Sequence, residues 1–178
     1  MANRVYLTGL NEDFFEDDDV SMHALVERNY AIPLLWFGLF EADDLKLYSD
    51  VPILLTSRDR ALANLRRRAP GLKAFLGDLA APVVDHWITF IEQNAYANYL
   101  LNTLELAQME EEEGEFQRDL EQYQAEFESI VAGTFASREL SVILQETDQL
   151  AQFPYAGGPL HLCGYSFDLE LPWERKAA

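Results

Sequence analysis

The chain has 178 residues, 49% of them apolar and 12% aromatic, which is enough to bury a core without metals or disulfides and too apolar for a disordered chain. Its 31 acidic and 13 basic residues give a net charge of −18, which excludes ordinary binding to a phosphate backbone.

Taken in chain order, Arg4-Val5-Tyr6-Leu7-Thr8 is rich in strand-forming residues and stops at Gly9, so it predicts a first strand. Asn11 to Asp19 is an acidic loop or helix start. Met22, Leu25, Val26 and Tyr30 fit one face of a short helix. Leu34 to Phe40 lies between Pro33 and the acidic stretch Glu41-Ala42-Asp43-Asp44; its aromatics favour a buried strand. Val51 to Thr56 is a further strand or the lead-in to a helix.

At Ser57 the period becomes helical. Ser57 is the expected N-cap, and Ala61, Leu62, Leu65 and Ala69 share a face until Pro70-Gly71 interrupts. This helix carries Arg58, Arg60, Arg66, Arg67 and Arg68. After a short segment Leu72 to Leu76, a new start at Asp78 and Pro82 predicts a long helix from Val83, with Trp87, Ile91, Ala95, Tyr99 and Asn102 on its face, running to Met109.

Glu110 to Gly114 is an acidic break. Phe116, Leu120, Tyr123, Phe127 and Ile130 then recur at steps of four and three, which predicts an amphipathic helix ended by Gly133. Ser137 opens a shorter helix with Leu140, Ile143, Leu144 and Leu150. Pro154 to Pro159 is turn-rich, and Tyr165 to Leu171 alternates as a half-buried strand. The expectation is a helix-rich α+β single domain over 1–178: a strand-rich acidic part (1–56), a helical part (57–150) and a C-terminal strand part (151–178), with the terminal strands pairing in one small sheet.

The charge is uneven. Residues 1–57 hold 11 acids and 3 bases, residues 58–76 hold 1 acid and 6 bases, and residues 77–178 hold 19 acids and 4 bases. The N-terminus shows no signal-peptide core, the longest apolar run (Ala31 to Phe40) is about half of the roughly 20 residues a membrane helix needs, and Cys163 stands alone. These features predict a cytoplasmic protein.

No catalytic motif emerges. His23, His86 and His161 lack metal-ligand spacing, and Asp85-His86 are adjacent residues that diverge on a helix. No G-x-S-x-G elbow occurs. Gly157-Gly158-Pro159 lacks the lysine of a phosphate loop and is read as a turn, and Cys163 as a small buried hydrophobe. The run Asp17-Asp18-Asp19 and the pair Glu112 and Glu115 fit magnesium chemistry only with a second converging carboxylate pair, for which Glu92, Glu105, Glu146 and Asp148 offer no suitable spacing. No cofactor is expected.

The same acids suit a surface that meets a basic protein, with aromatic anchors set among them. The candidate partner-binding residues are therefore Asp13, Phe14, Phe15, Glu16, Asp17, Asp18 and Asp19 in the N-terminal loop, and Glu110, Glu111, Glu112 and Glu113 in the acidic break. The arginines of the basic helix are expected to pair internally, for instance with Glu110 to Glu113.

The opening Met1-Ala2-Asn3-Arg4-Val5-Tyr6-Leu7, followed by Ile32-Pro33-Leu34-Leu35-Trp36-Phe37, resembles a group of small uncharacterised bacterial proteins beginning MANR-x-YL. Some small acidic cytoplasmic proteins of this kind are immunity proteins. The resemblance implies a non-enzymatic inhibitor that neutralises a basic, secreted toxin, while the net charge and the short apolar run predict neither nucleic acid nor membrane as partner. A DNA-mimic inhibitor of a nucleic-acid enzyme and a carboxylate/magnesium-dependent hydrolase are the alternatives; the basic helix argues against the uniformly negative face that a mimic needs.

Overall fold

The computed structural model describes residues 3–15, 20–110, 114–134, 162–166, 169 and 171. The helix expected from Ser137 and the turn at Pro154 to Pro159 lie outside these residues, as do Glu16 to Asp19, Glu111 to Glu113 and much of the alternating segment after Tyr165.

The fold is α+β, with one five-stranded antiparallel sheet. Its strands are β1 (Arg4–Leu10), β2 (His23–Asn29), β3 (Leu45–Tyr48), β4 (Val51–Ser57) and β5 (Asn98–Asn102), in the order β2-β1-β5-β4-β3. Among the described residues, three α-helices accompany it: α1 (Arg58–Gln93), α2 (Leu104–Ala107) and α3 (Glu115–Val131). The strands alternate so that Val5, Leu7, Leu54, Tyr99 and Leu101 face α1 and α3 in the main core, while Leu10, Ile53 and Leu100 form a small cluster on the opposite face with Phe14, Val20, Val51 and Leu55. The N-terminal strand is in the sheet as expected. Among the described residues the C-terminal segment reaches the sheet through one bridge, Tyr165 with Glu27 on β2; most of the strand expected there lies outside the described residues.

Residues 23–29 form β2 where a helix was expected. The β1–β2 register jumps from Leu7 opposite Val26 to Thr8 opposite Ala24, leaving Leu25 as the extra residue of a bulge. The bulge lets neighbouring Leu25 and Val26 both enter the core, and it is this adjacency that imitates helical spacing. Met22 and Tyr30 belong to no common face and are exposed.

Leu34–Leu39 is a 3-10 helix, not a strand. Every residue in it is buried, so neither a twofold nor a 3.6-fold period is visible. The Trp36 indole N–H donates to the Cys163 carbonyl (2.9 Å), and Gly38 sits so close to Leu65 that a Cβ there would lie 2.7 Å from its Cδ2.

Helix α1 begins after Ser57 as expected, although the serine side chain makes no capping bond. It continues through Pro70 and Gly71, and the break falls at Gly77, whose φ of 70° is left-handed. Gly71 has a packing role instead: a Cβ there would lie 2.1 Å from the Val131 carbonyl oxygen. The helix then stops at Gln93, far short of Met109. Tyr99 and Asn102 are on β5, the central strand, and the Tyr99 hydroxyl donates towards the carbonyls of Ile91 (3.0 Å) and Asn94 (2.7 Å), satisfying acceptors that the helix end leaves open.

The amphipathic helix α3 is where its 4-3 spacing places it, with Phe116, Leu120, Phe127 and Ile130 buried. Gly133, at φ 68°, follows its end. The four-residue strand β3 has no counterpart in the sequence expectations. It turns into β4 through Ser49-Asp50, both at positive φ (48° and 66°), the arrangement of a two-residue hairpin. No described helix is long and apolar enough to cross a membrane.

Candidate partner-binding surface

Internal pairing occupies the basic helix, and its described partners are acids other than Glu110; Glu111 to Glu113 lie outside the described residues. Arg60 and Arg67 both donate to the Glu41 carboxylate (2.8 Å each), and Arg60 also pairs with Asp43 and, at 3.5 Å, with Asp44. Arg66 meets Glu92 at 2.7 Å, and Arg58 donates to the Glu92 carbonyl at 3.2 Å. The acids that pair with Arg60, Arg66 and Arg67 thus come from Glu41 and the short 3-10 turn Ala42–Asp44 that follows it, and from the second half of α1 itself.

Arg68 is the buried member, 1% exposed. One guanidinium nitrogen donates to the carbonyls of Gly38 (3.0 Å) and Phe40 (2.6 Å); the other pairs with Glu128 on α3, and the cation lies 5.5 Å from the Phe127 ring centre. Burial lowers its pKa, and the Glu128 carboxylate opposes that shift. Arg68 ties the 3-10 helix, α1 and α3 together and is not available to a ligand. Asp44, also buried, accepts the Glu41 backbone N–H at 2.7 Å; desolvation raises its pKa, and that hydrogen bond and Arg60 act the other way.

The basic helix being so occupied, the candidate surface falls to the predicted acidic segments, of which the described residues Asp13, Phe14, Phe15 and Glu110 lie on either side of the β3–β4 hairpin. On one side, Phe14 and Phe15 pack edge-on at 5.3 Å, and Phe14 lies 4.9 Å and Phe15 6.4 Å from the Tyr48 ring. Phe14 also covers the small outer cluster of the sheet. Phe15 and Tyr48 remain 49% and 50% exposed, and Asp13 beside them is exposed and accepts the Phe15 backbone N–H at 2.9 Å. The loop is fastened to the sheet: Asn11 Oδ1 accepts the Ala97 N–H (3.2 Å), and the Asn98 amide donates to the Glu12 carbonyl (3.4 Å).

On the other side, Glu110 lines a cleft of about 250 Å³ with Asp50, Pro52 and Gly114, and a smaller one of about 170 Å³ with Tyr30, Met109, Phe116 and Tyr123. Desolvation is the main cause raising the Glu110 pKa, followed by the negative charges of Glu115 and Asp119. Burial, then the charges of Asp119 and Glu110, raise that of Tyr123.

A third feature is absent from the sequence expectations. A cleft of about 400 Å³ opens between the start of β3 and α3, with a floor of Phe37, Phe40 and Phe127 and a rim of Glu41, Glu121 and Glu128. Glu121 and Glu128 are one helical face of α3, seven residues apart, so their spacing was readable; Leu45 and Glu41 reach the same place only through the hairpin, which was not.

Cys163 is fully buried, and desolvation pushes its thiol pKa well up, as befits a packed small side chain. Among the described residues, no group of three or more His, Cys, Asp and Glu side chains is arranged to hold a metal ion. Comparison of the chain with protein-family models, curated proteins and solved structures returned no match.

Proposed function

We propose that this chain is a non-enzymatic acidic binding protein, acting in the cytoplasm as an immunity-type inhibitor that neutralises a basic cognate toxin. The observation that carries this reading is the half-exposed pair of Phe15, in the loop after β1, and Tyr48, on the hairpin, with exposed Asp13 beside them. Aromatic anchors beside acidic charge supply what a protein interface needs: apolar area for affinity, and a field that speeds encounter with an oppositely charged surface. The internal pairing of Arg60, Arg66, Arg67 and Arg68 supports the same reading, because it offsets the basic helix that would otherwise repel a cationic partner.

Affinity capture on the full-length protein at low and high salt, with identification of what is retained, tests the proposal. The expected result is one basic protein, bound more slowly as salt rises, whose toxicity is relieved on co-expression. Retention of acidic or nucleic-acid partners, or failure to protect against the captured protein, refutes it.

A further inference from the structure

Glu110 differs from the acids beside α1 in what surrounds it. The arginines of α1 take Glu41, Asp43, Asp44, Glu92 and Glu128. Glu110, Glu115 and Asp119 form no ion pair among the described residues.

Glu110 forms one side of the cleft of about 170 Å³, in which Phe116 is buried and Tyr30 and Met109 are exposed. The fold brings the lining together from three places. Tyr30 follows the end of β2, Met109 and Glu110 follow α2, and Phe116 and Tyr123 lie two turns apart on α3. Tyr30 is held at a φ of 61°, a left-handed conformation that a bulky side chain disfavours, with its N–H donated to the Asn3 carbonyl at 2.9 Å.

Aromatic rings, a thioether and a carboxylate without a basic partner suit a cation carried on an apolar stem: the rings attract the charge, the sulfur and ring edges pack the stem, and the carboxylate is the counter-ion. In a space this small an occupant's charge cannot be far from the rings that line it. Burial first, and then the like charges of Glu115 and Asp119 on Glu110, and of Asp119 and Glu126 on Tyr123, raise both pKa values, a strain that an arriving cation relieves. Pockets for whole small molecules run to about 300–1,000 Å³. This one has room for a single long side chain, the way an interface receives an anchor residue. The larger cleft on the other side of Glu110 suits a cation less, because Arg118 lies beside its Gly114, with Nη1 3.8 Å from the Cβ position there.

We propose that the smaller cleft receives one lysine or arginine side chain of the basic partner, its charge set between Glu110 and the rings of Tyr30 and Tyr123 and its stem on Met109 and Phe116. This rests on the reading of the chain as a binder of basic protein and names where the partner's anchor goes.

The test is an NMR titration of the isotope-labelled full-length protein with the N-acetyl, N-methylamide derivative of lysine and with the same derivative of norleucine, which keeps the stem and lacks the charge. The lysine derivative is expected to shift the amide resonances of Tyr30, Glu110 and Tyr123 and to bind about fivefold more tightly, or better, than the norleucine one. Glu110→Gln, which relieves like-charge repulsion and does not threaten the fold, is expected to weaken it by about the same factor. Tyr30→Gly, which removes a ring at a backbone conformation glycine adopts freely, is expected to weaken it about threefold. Asp59→Asn, the same loss of one charge at an exposed position at the start of α1, is expected to leave binding unchanged. Equal affinity for the two derivatives, no shift of those resonances, unchanged binding by Glu110→Gln, or equal weakening by Glu110→Gln and Asp59→Asn overturns the proposal. So does tighter binding of tetramethylammonium than of the lysine derivative, which would assign the cleft to a free quaternary cation. If Glu110→Gln and Tyr30→Gly both retain a captured basic protein at full affinity, the cleft proposal falls and the functional reading stands. If the lysine derivative binds here as expected but no basic protein is captured, the functional reading falls and the cleft stands as a pocket for a basic side chain.

Discussion

Replacing Arg68 by alanine perturbs the point where three elements meet. The substitution removes the donors to the Gly38 and Phe40 carbonyls, the pair with Glu128 and the packing on Phe127. A buried acceptor left without its donor costs about 1–3 kcal/mol, and truncating a long buried side chain adds a cavity cost. Glu128 is half-exposed and rehydrates at little cost. The sum is a destabilisation of about 3–5 kcal/mol, a large share of the roughly 5–15 kcal/mol that holds a domain together. Arg67→Ala is the control: its bond to Glu41 is also short, but the side chain is 56% exposed, and an exposed ion pair is worth about 0–1 kcal/mol. Urea denaturation followed by tryptophan fluorescence, which reports on buried Trp36 and Trp87, measures both. A loss below about 1 kcal/mol for Arg68→Ala, or equal losses for the two variants, would refute the view that burial rather than bond length decides which arginine matters.

Further outcomes follow from the same geometry. Gly71→Ala sets a methyl group against the Val131 backbone, which cannot rotate away; the expected loss is about 2 kcal/mol or more in a chemical melt, and a neutral effect would mean that α1 and α3 are not so closely seated. The folded state holds the Glu110 proton more tightly than the unfolded chain does. Its stabilising contribution is therefore full below the ordinary glutamate pKa and is lost as pH rises through the raised folded value. Glu110→Gln should then raise Tm at neutral pH and leave it unchanged in acid, which a pH series of thermal melts checks. The Cys163 thiol should resist a thiol reagent in the folded protein and react only on unfolding; prompt labelling would contradict its burial. Phe15→Ala should leave Tm within a degree or so while weakening capture of the basic partner about tenfold.

What could be read in the sequence was what a periodic pattern records. Helix α3 shows its 4-3 spacing because one face is buried and the other wet, and β1 shows its strand-forming residues. The 3-10 helix at Leu34–Leu39 is buried all round, so it has no pattern to read. In β2 the bulge at Leu25 breaks the alternation, and in β5 three consecutive buried residues, Tyr99, Leu100 and Leu101, carry no period because both faces of a central strand are covered. At the candidate surface, Phe14 and Phe15 were visible as aromatics among acids. Their partner Tyr48 was not, because the strand that carries it has four residues and is recognised by a turn whose Ser49-Asp50 lacks the usual glycine. The internal pairing of the arginines was legible from their number, and their partners were not, since Glu41 and Glu128 become neighbours of α1 only in three dimensions.

The position of β5 has a consequence for how the chain assembles. It is the last strand of the sheet in sequence, yet it sits in the middle, joining the β2-β1 pair to the β4-β3 hairpin. Its partner Leu7 precedes Leu101 by more than ninety residues, so this pairing closes a long loop before it gains any contact energy. During synthesis the two strand pairs and α1 emerge first and wait with inner edges unmatched until residues 98–102 leave the ribosome. A chain cut off before Asn98 therefore holds two separate ribbons rather than a smaller version of the same sheet, and the completed molecule should fold in a single late step governed by the docking of that one strand.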